Sequence, residues 1–258
     1  MYFKFNLINS VEDFMKDATL TEISIGCSDS QVIKIEKKIG VYFLKMAKRG
    51  PLTKEYKALT WLDGKLNVPK VMLFDDTTDI EYLITEAIPG EMLCSDNLLK
   101  DKDRVIEIIA DAFHQLYKVD ITNCPFHVTQ KDRLKGIEQN VKNHLITYEN
   151  LDEDVKKQFS SLEEILNYLK ENQFEEELCF SHGDISLQNI FSYNNHFSGF
   201  IDIGECGIAD KWFDLAICEK SIIRNLGEEY VDKFYQALHM VPEKKKTAYY
   251  LLLMELCL

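Results

Sequence analysis

Two carboxylates and one amide lie close together in the second half of the chain, at spacings suited to phosphoryl transfer. Asp184 follows Ser181-His-Gly, Asn189 comes five positions later, and Asp202 ends an apolar run. A positioned Asp can orient an attacking hydroxyl and receive its proton. An amide and a second carboxylate offer the oxygen ligands that Mg²⁺ accepts when it also binds phosphate. The pattern therefore predicts Asp184 as the catalytic base and Asn189 and Asp202 as metal ligands.

A polar turn, Tyr193-Asn-Asn-His196, separates Asn189 from Asp202. Apolar residues typical of strands flank the turn, which predicts a β-hairpin. A hairpin alone explains a cluster of polar residues but not the order Asp, Asn, Asp, which is that of the catalytic loop and the metal-binding Asp of eukaryotic-type kinases. We expect His182 to shape the loop rather than to do chemistry.

Lys45 is the only charged residue in the predicted strand 41–46. A lone lysine in a strand usually lies on the solvent face. Here, however, Pro51 begins a helical pattern that contains Glu55 and ends near Gly64. In kinases, a lysine on the third strand binds the α- and β-phosphates of the nucleotide, and a glutamate in the next helix holds that lysine in place. The order of elements therefore predicts Lys45 as the phosphate ligand and Glu55 as the residue that holds it.

The hydrophobic pattern predicts an α+β chain with two lobes, each with its own periodicity. A short helix near 11–17 precedes five strands, and the helix from Pro51 lies between the third and the fourth. Ile88-Pro-Gly90 predicts a hinge at about 85–90, which divides the chain into lobes 1–87 and 88–258. Apolar residues recur at three and four over 105–117, so the second lobe is expected to be mostly helical, and a further helix is expected to begin at Ala209. The strands are predicted near residues 20–25, 32–35, 41–46, 68–74 and 80–87.

The 258 residues carry a formal charge of −13, and its distribution is uneven. Residues 1–90 hold 12 Lys+Arg against 13 Asp+Glu, whereas residues 91–258 hold 18 against 30, so the net charges are −1 and −12. This acidity argues against nucleic acid and anionic membranes as partners and favours a cationic substrate for the second part. An acidic surface that only keeps the protein soluble remains an alternative.

Targeting and redox signals are weak in this sequence. No apolar run approaches the ~18 residues needed to span a bilayer, and the N-terminal residues do not read as a signal peptide. The seven cysteines are scattered and never two residues apart, so they indicate neither a disulfide framework nor a zinc site. We therefore expect a cytoplasmic protein.

Taken together, these motifs resemble the bacterial aminoglycoside phosphotransferases, specifically the group that modifies the 3′-hydroxyl of kanamycin-like antibiotics. The resemblance covers nearly the whole chain. It implies a two-lobed protein-kinase-like fold with a small antiparallel sheet and one helix in the first lobe, ATP or GTP with Mg²⁺ as cofactor, and transfer to an aminoglycoside. The blocks that carry it are Phe43-Leu-Lys45-Met, Trp61-Leu-Asp-Gly-Lys-Leu-Asn-Val-Pro-Lys-Val, Ser181-His-Gly-Asp184, Asn189-Ile-Phe, Ser198-Gly-Phe-Ile-Asp202, Ala209-Asp-Lys-Trp and Tyr249-Tyr-Leu-Leu-Leu.

The same resemblance implies further nucleotide contacts. It places Ser28 in the nucleotide loop, within the turn Gly26-Cys-Ser-Asp-Ser30. A polar turn between two strands can aim backbone N–H groups at a triphosphate. The resemblance also places Thr85 and Ala87 beside the adenine, since their backbone groups run directly into the hinge.

The substrate side departs from the family pattern. Leu187 in the catalytic loop and Met254 near the C-terminus stand where familiar members carry acids, and Glu205 stands where similar enzymes often carry an arginine. We expect that Leu187 and Met254 narrow the antibiotic range. The acids that remain for an aminoglycoside are Glu149, Asp154 and Glu255.

Other classes of function compete with this interpretation. A protein kinase is disfavoured because only 11 residues separate Asp202 from Asp214, too few for an activation segment that docks a peptide. A kinase of choline, a sugar or another antibiotic remains open, because function resides in the site rather than in the fold. A binding module on an inactive kinase fold is disfavoured because the residues predicted for catalysis are all present, namely Lys45, Asp184, Asn189 and Asp202. The chain is expected to act as a monomer or weak dimer, and the sequence leaves the accepted aminoglycosides and the choice of ATP or GTP open.

Overall fold

The computed structural model describes residues 5–23 and 30–257. Up to residue 92 the elements are mostly strands, as the alternation of apolar residues predicts. They are α1 (Asn9–Met15), β1 (Thr19–Ile23), β2 (Gln31–Lys37), β3 (Gly40–Lys48), α2 (Pro51–Leu62), β4 (Val71–Asp75), β5 (Ile80–Glu86) and β6 (Glu91–Met92).

The rest of the chain is mostly helical, with four short strands. Within the described residues, no helix combines the length and the apolar character that a membrane crossing requires. The elements are α3 (Lys102–Tyr117), α4 (Gln130–Lys142), α5 (Glu153–Gln158), α6 (Leu162–Glu171), β7 (Leu178–Ser181), β8 (Ile190–Tyr193), β9 (His196–Phe200), β10 (Gly207–Asp210), α7 (Lys211–Asn225), α8 (Val231–Ala237) and α9 (Lys244–Glu255).

The chain forms two compact units. The first comprises Met1–Met92 with Asn189–Glu205, and the second comprises Leu93–Gln188 with Cys206–Leu258. The segment that carries Asn189 and Asp202 thus belongs to the same unit as β1–β6. The lobe boundary at about 85–90 stays a prediction.

A five-stranded antiparallel sheet with the order β1-β2-β3-β5-β4 forms the centre of the first unit. Successive side chains of a strand point to opposite faces. On one face Ile33, Ile35 and Leu44 form a buried cluster together with Val11 and Met15 of α1. On the β3–β5 pair, the opposite face carries the alternate residues, among them Lys45, and this face bears α2.

The predicted hairpin is confirmed as β8 and β9, which join β6 in a three-stranded sheet. Asn194 and Asn195 have positive φ values of 51° and 60° at its turn, a conformation that Asn adopts more readily than most residues. Gly90, at φ +99°, passes so close to this hairpin that a Cβ would lie 1.9 Å from the Ser192 carbonyl oxygen. Only glycine fits there.

The second unit is built around α3, whose buried face includes Val105, Ile108 and Phe113 as the three-and-four spacing predicts. The sequence pattern was wrong about one boundary. It places a helix start at Ala209, but Ala209 lies in β10, paired with Cys179 of β7. The helix α7 begins at Lys211 because the Asp210 side chain accepts a hydrogen bond from the Trp212 N–H and caps it.

Candidate functional site

Lys45 lies between two carboxylates of the first unit. Its Nζ atom donates to Glu55 Oε1 and Oε2 at 2.7 and 2.9 Å. It also donates to Asp202 Oδ1 at 3.2 Å. Glu55 is buried in α2, whereas the Asp202 side chain is 58% exposed. The structure therefore brings together three of the residues that the sequence nominates.

The environment of Lys45 keeps its ammonium charged. Burial alone would lower the pKa of Lys45, but the charges of Glu55 and Asp202 outweigh it and raise the pKa above the ordinary value. A lysine held cationic in a partly enclosed site attracts phosphate oxygens. This is the electrostatic condition that the predicted phosphate contact needs.

The two predicted metal ligands lie on neighbouring backbone segments. Asn189 is 3% exposed, and its carbonyl oxygen accepts a hydrogen bond from the Ile201 N–H at 3.0 Å, which fixes the residue just before Asp202. Asp202 itself has φ +59°. A positive φ outside glycine is uncommon and clusters at functional sites, where surrounding contacts maintain it.

These residues fit a nucleotide–magnesium complex. One carboxylate and one amide oxygen, with one lysine for phosphate, match a cation that takes few protein ligands and completes its shell with phosphate and water. Among the described residues, no group of three or more His, Cys, Asp or Glu side chains could hold a metal alone. One carboxylate and one amide thus suit a cation that also binds phosphate.

The two residues predicted to lie beside the adenine, Thr85 and Ala87, both make backbone contacts with β3. Thr85 is paired with Phe43 in the β3–β5 ladder. The Ala87 N–H donates to the Val41 carbonyl at 2.9 Å, so an adenine contact through that amide requires this hydrogen bond to open. Ser28 lies outside the described residues.

In the second unit, Asp184 follows β7 in a loop held by a buried aspartate. Asp214 of α7 is fully buried and accepts hydrogen bonds from the His182 N–H at 2.7 Å and from the Gly183 N–H and Ser181 Oγ at 3.0 Å each. Burial raises the pKa of Asp214, and these donors together with His182 act in the opposite direction. Asp214 thereby fixes the three residues that precede Asp184.

His182 shapes the loop, as the sequence predicts. Its ring is fully buried, and Nδ1 accepts a hydrogen bond from the Asp184 N–H at 3.2 Å. Further along, the Leu187 N–H donates to Ser221 Oγ of α7 at 3.0 Å, and the Leu187 side chain is fully buried. Leu187 therefore packs into the protein interior. Asp184 itself is half-buried.

The acids nominated for a cationic substrate differ in their surroundings. Glu255 Oε1 accepts a hydrogen bond from the Asp152 N–H at 2.7 Å, at the start of α5. Asp154 is exposed and pairs with Lys157 at 2.8 Å; this hydrogen bond and the charge of Lys157 lower its pKa. Glu149 is exposed. The structure thus joins the C-terminal helix α9 to the start of α5 but gives Asp154 a cationic partner of its own.

Sequence reasoning missed the role of Asp214. Its only signal is an acid inside an otherwise apolar helical stretch, Trp212-Phe-Asp-Leu-Ala. A charged residue in such a position is buried only when it is well hydrogen bonded. The donors come from residues more than 30 positions away, so the sequence pattern cannot name them.

Comparisons with known proteins show the family of this chain. Residues 19–250 match the model of a family described as the phosphotransferase enzyme family. The chain belongs to this family. Its relatives include an aminoglycoside 3′-phosphotransferase of Enterococcus faecalis, 36% identical over 242 residues and 90% of each chain, and one of Campylobacter jejuni, 32% identical over 92% of this chain and 96% of the relative.

Solved structures show the same fold for this phosphotransferase. The crystal structure of a type VIII aminoglycoside-3′-phosphotransferase superimposes with a TM-score of 0.84 at 24% identity, covering 96% of each chain. A Streptomyces rimosus aminoglycoside phosphotransferase in complex with ADP and streptomycin gives 0.77 at 20% identity, covering 95% of each. The predicted α+β, kinase-like fold and the phosphotransferase class are confirmed, with the short helix α1 in addition to α2 in the first unit. The roles of individual site residues stay predictions.

Proposed function

We propose that this phosphotransferase transfers a phosphoryl group from ATP to a hydroxyl, the 3′-hydroxyl, of an aminoglycoside antibiotic, and so confers resistance. The observation that carries the proposal is Lys45 held between Glu55 and Asp202. It occurs in a chain whose relatives include an aminoglycoside 3′-phosphotransferase that is 36% identical over 90% of each chain.

The first unit supplies the nucleotide contacts in this proposal. Lys45 binds the α- and β-phosphates, and Glu55 keeps its ammonium in place. Asp202 and Asn189 offer oxygen ligands to Mg²⁺. The magnesium nucleotide, when bound, supplies the phosphoryl group and the cation that neutralises its charge. The contribution of these four residues is binding and orientation.

The second unit supplies the acceptor chemistry. Asp184 orients the acceptor hydroxyl and receives its proton, and the hydrogen bonds of Asp214 hold the preceding backbone in place for this task. A carboxylate held on a fixed loop loses little entropy when it engages the hydroxyl. Asp184 is therefore the residue whose loss affects the chemical step rather than nucleotide binding.

The net charge of −12 on residues 91–258 supports a polycationic acceptor. Glu149, Asp154 and Glu255 are the acids that we assign to its ammonium groups. Since Asp154 already pairs with Lys157, an ammonium must compete with that lysine. Such contacts are exposed and are expected to weaken with salt. We also propose that the protein acts in the cytoplasm as a monomer or weak dimer.

A panel of acceptors tests the substrate assignment. Turnover of ATP and of GTP is measured with kanamycin, neomycin, streptomycin, choline and simple sugars for the wild type and for Asp184→Asn. The exposed Asp111→Asn of α3 is the matched control. We expect turnover with kanamycin or neomycin that Asp184→Asn abolishes and Asp111→Asn retains. Turnover with choline or a sugar, and with no aminoglycoside, would indicate a kinase of another small molecule and would show that the aminoglycoside assignment is wrong.

A further inference from the structure

Glu81 is a buried charge that the chemistry above does not use. It lies in β5 within Ile80-Glu-Tyr-Leu-Ile, and the whole residue is 0% exposed. A charged side chain is rarely buried unless its oxygens are hydrogen bonded. The partners of Glu81 therefore show what it does.

The donors to Glu81 lie at the N-terminal end of α2. Oε2 accepts from the Leu52 N–H at 2.8 Å and from the Thr53 N–H at 3.2 Å, and Oε1 accepts from the Thr53 hydroxyl. The first amides of a helix have no partner inside the helix. The residue that precedes α2, Gly50, has no side chain with which to cap them, so a carboxylate from a neighbouring strand does so.

The carboxylate is anionic in this position. Burial alone would raise the pKa of Glu81, but hydrogen bonds from the Thr53 side chain and from the backbone of Gly50, Thr53 and Leu52 outweigh it and lower the pKa. A negative charge at a helix N-terminus is also favoured by the helix dipole.

The same strand pair carries Lys45. In the antiparallel β3–β5 ladder, Lys45 is opposite Leu83, and Ala47, two residues after Lys45, is opposite Glu81, two residues before Leu83. Residues two apart in a strand share a face, so Lys45 and Glu81 point towards α2 from the same side. Lys45 contacts Glu55, whereas Glu81 contacts Leu52 and Thr53, which precede Glu55 by three and two residues. The helix is thus attached to the sheet at two adjacent points.

We propose that Glu81 is a positioning residue for the Lys45–Glu55 pair. By binding the first turn of α2, it fixes where the helix lies along its axis and how it is rotated about that axis, and so allows Glu55 to meet Lys45. Glu81 acts through α2 and not on the substrate. The consequence for catalysis rests on the proposed function, whereas the consequence for Lys45 in the nucleotide-free protein does not.

The nucleotide-free protein gives a direct readout. A water-soluble N-hydroxysuccinimide ester labels Lys45 more slowly while Glu55 and Asp202 hold its amine, so the labelling rate reports whether the contact with Glu55 persists. Mass spectrometry of the Lys45 peptide measures the rate for wild type, Glu81→Gln, Glu55→Gln and the double variant. Ile35→Val, a buried change on the opposite face of the sheet, controls for lost stability.

We expect Glu81→Gln to label Lys45 several-fold faster than the wild type, because a displaced α2 no longer holds Glu55 against the Lys45 amine. Glu55→Gln should label at least as fast, and the double variant no faster than Glu55→Gln alone, because Glu81 acts through Glu55. Ile35→Val should label at the wild-type rate. Labelling of Glu81→Gln at the control rate, or a double variant in which the two accelerations multiply, would overturn the proposal.

A second pair of variants serves if Glu81→Gln does not fold. Thr53→Val removes one donor to Glu81 and leaves the two amides, whereas Thr53→Ser keeps the hydroxyl. Faster labelling in Thr53→Val, with a wild-type rate in Thr53→Ser, supports the proposal; equal rates in the two contradict it.

Steady-state kinetics are a separate experiment, in which Glu81→Gln should lower kcat/KM for ATP and leave KM for the acceptor unchanged. If no aminoglycoside is phosphorylated at all, the proposed function fails while the labelling result stands on its own.

Discussion

Lys45 Nζ lies 2.7 Å from Glu55 Oε1, across the space between strand β3 and helix α2. Because Glu55 is buried, this contact is partly shielded from water and weakens less with salt than a surface ion pair does. The two residues should therefore behave as one functional group.

Variants of this pair should show non-additive losses. Lys45→Ala should raise KM for ATP or lower kcat, Glu55→Gln should do the same to a smaller extent, and the double variant should resemble Lys45→Ala. The coupling energy expected for groups in contact is roughly 0.5–3 kcal/mol. Steady-state kinetics of the four proteins measure it, and fully additive effects on kcat/KM would show that the pair does not act together.

Asp202→Asn should increase the magnesium concentration needed for half-maximal rate. The amide retains an oxygen ligand but loses the charge that attracts the cation, and it also weakens the contact with Lys45 at 3.2 Å. Glu205→Gln is the matched control, because Glu205 is also exposed and pairs with Lys54. Identical magnesium titrations of Asp202→Asn and the wild type would remove Asp202 from the metal site.

Asp214→Asn should lower kcat and thermal stability while leaving nucleotide affinity nearly unchanged. The amide presents N–H groups where two backbone N–H groups and the Ser181 hydroxyl need an acceptor. A buried donor left without an acceptor costs about 1–3 kcal/mol. Calorimetric unfolding and a nucleotide titration check both parts. A variant with full activity would mean that Asp214 does not position the loop.

Glu177 should make the stability of the protein depend on pH at acid values. The hydrogen bond from Lys211, with further ones from Trp212 Nε1 and Lys246, outweighs partial burial and lowers the pKa of Glu177 to about 2. A depressed folded-state pKa gives stability that is present above the unfolded value of 4.5 and is lost as pH falls towards about 2. Because this side chain is 49% exposed, solvent reduces the effect.

Melting temperatures of wild type and Glu177→Gln between pH 7 and pH 2 measure this contribution. The difference between the two proteins should be largest near neutral pH and should shrink below pH 4.5. A difference that stays constant over the whole range would show that the charge of Glu177 is not responsible.

Glu255→Gln should raise KM for the acceptor selectively. The change removes a negative charge and weakens the hydrogen bond with the Asp152 N–H, which joins α9 to the start of α5. KM for ATP should stay within about twofold, and added salt should raise the acceptor KM of the wild type more than that of the variant. Equal changes in both KM values would mean that Glu255 supports the fold rather than the acceptor.

Much of the fold follows from local patterns. The hairpin β8–β9, the buried face of α3 and the Lys45–Glu55 pair are all foreseeable, because the residues that define them repeat at the period of a strand or helix, or follow a fixed order of elements. The start of α7 was misplaced because Ala209 pairs with Cys179, 30 positions away. Asp214 and Glu81 escaped notice for the same reason: their donors are distant in sequence, and a lone acid in an apolar stretch does not reveal them.

The central claim is tested most directly by the product formed from kanamycin. Wild-type protein with ATP and Mg²⁺ is incubated with kanamycin and, separately, with its matched 3′-deoxy derivative, and mass and phosphorus NMR spectra are recorded, with Asp184→Asn alongside. We expect a single phosphate ester at the 3′-oxygen of kanamycin, no ester on the deoxy derivative and almost none with Asp184→Asn. Phosphorylation of the deoxy derivative at the wild-type rate, or full product formation by Asp184→Asn, would contradict the account.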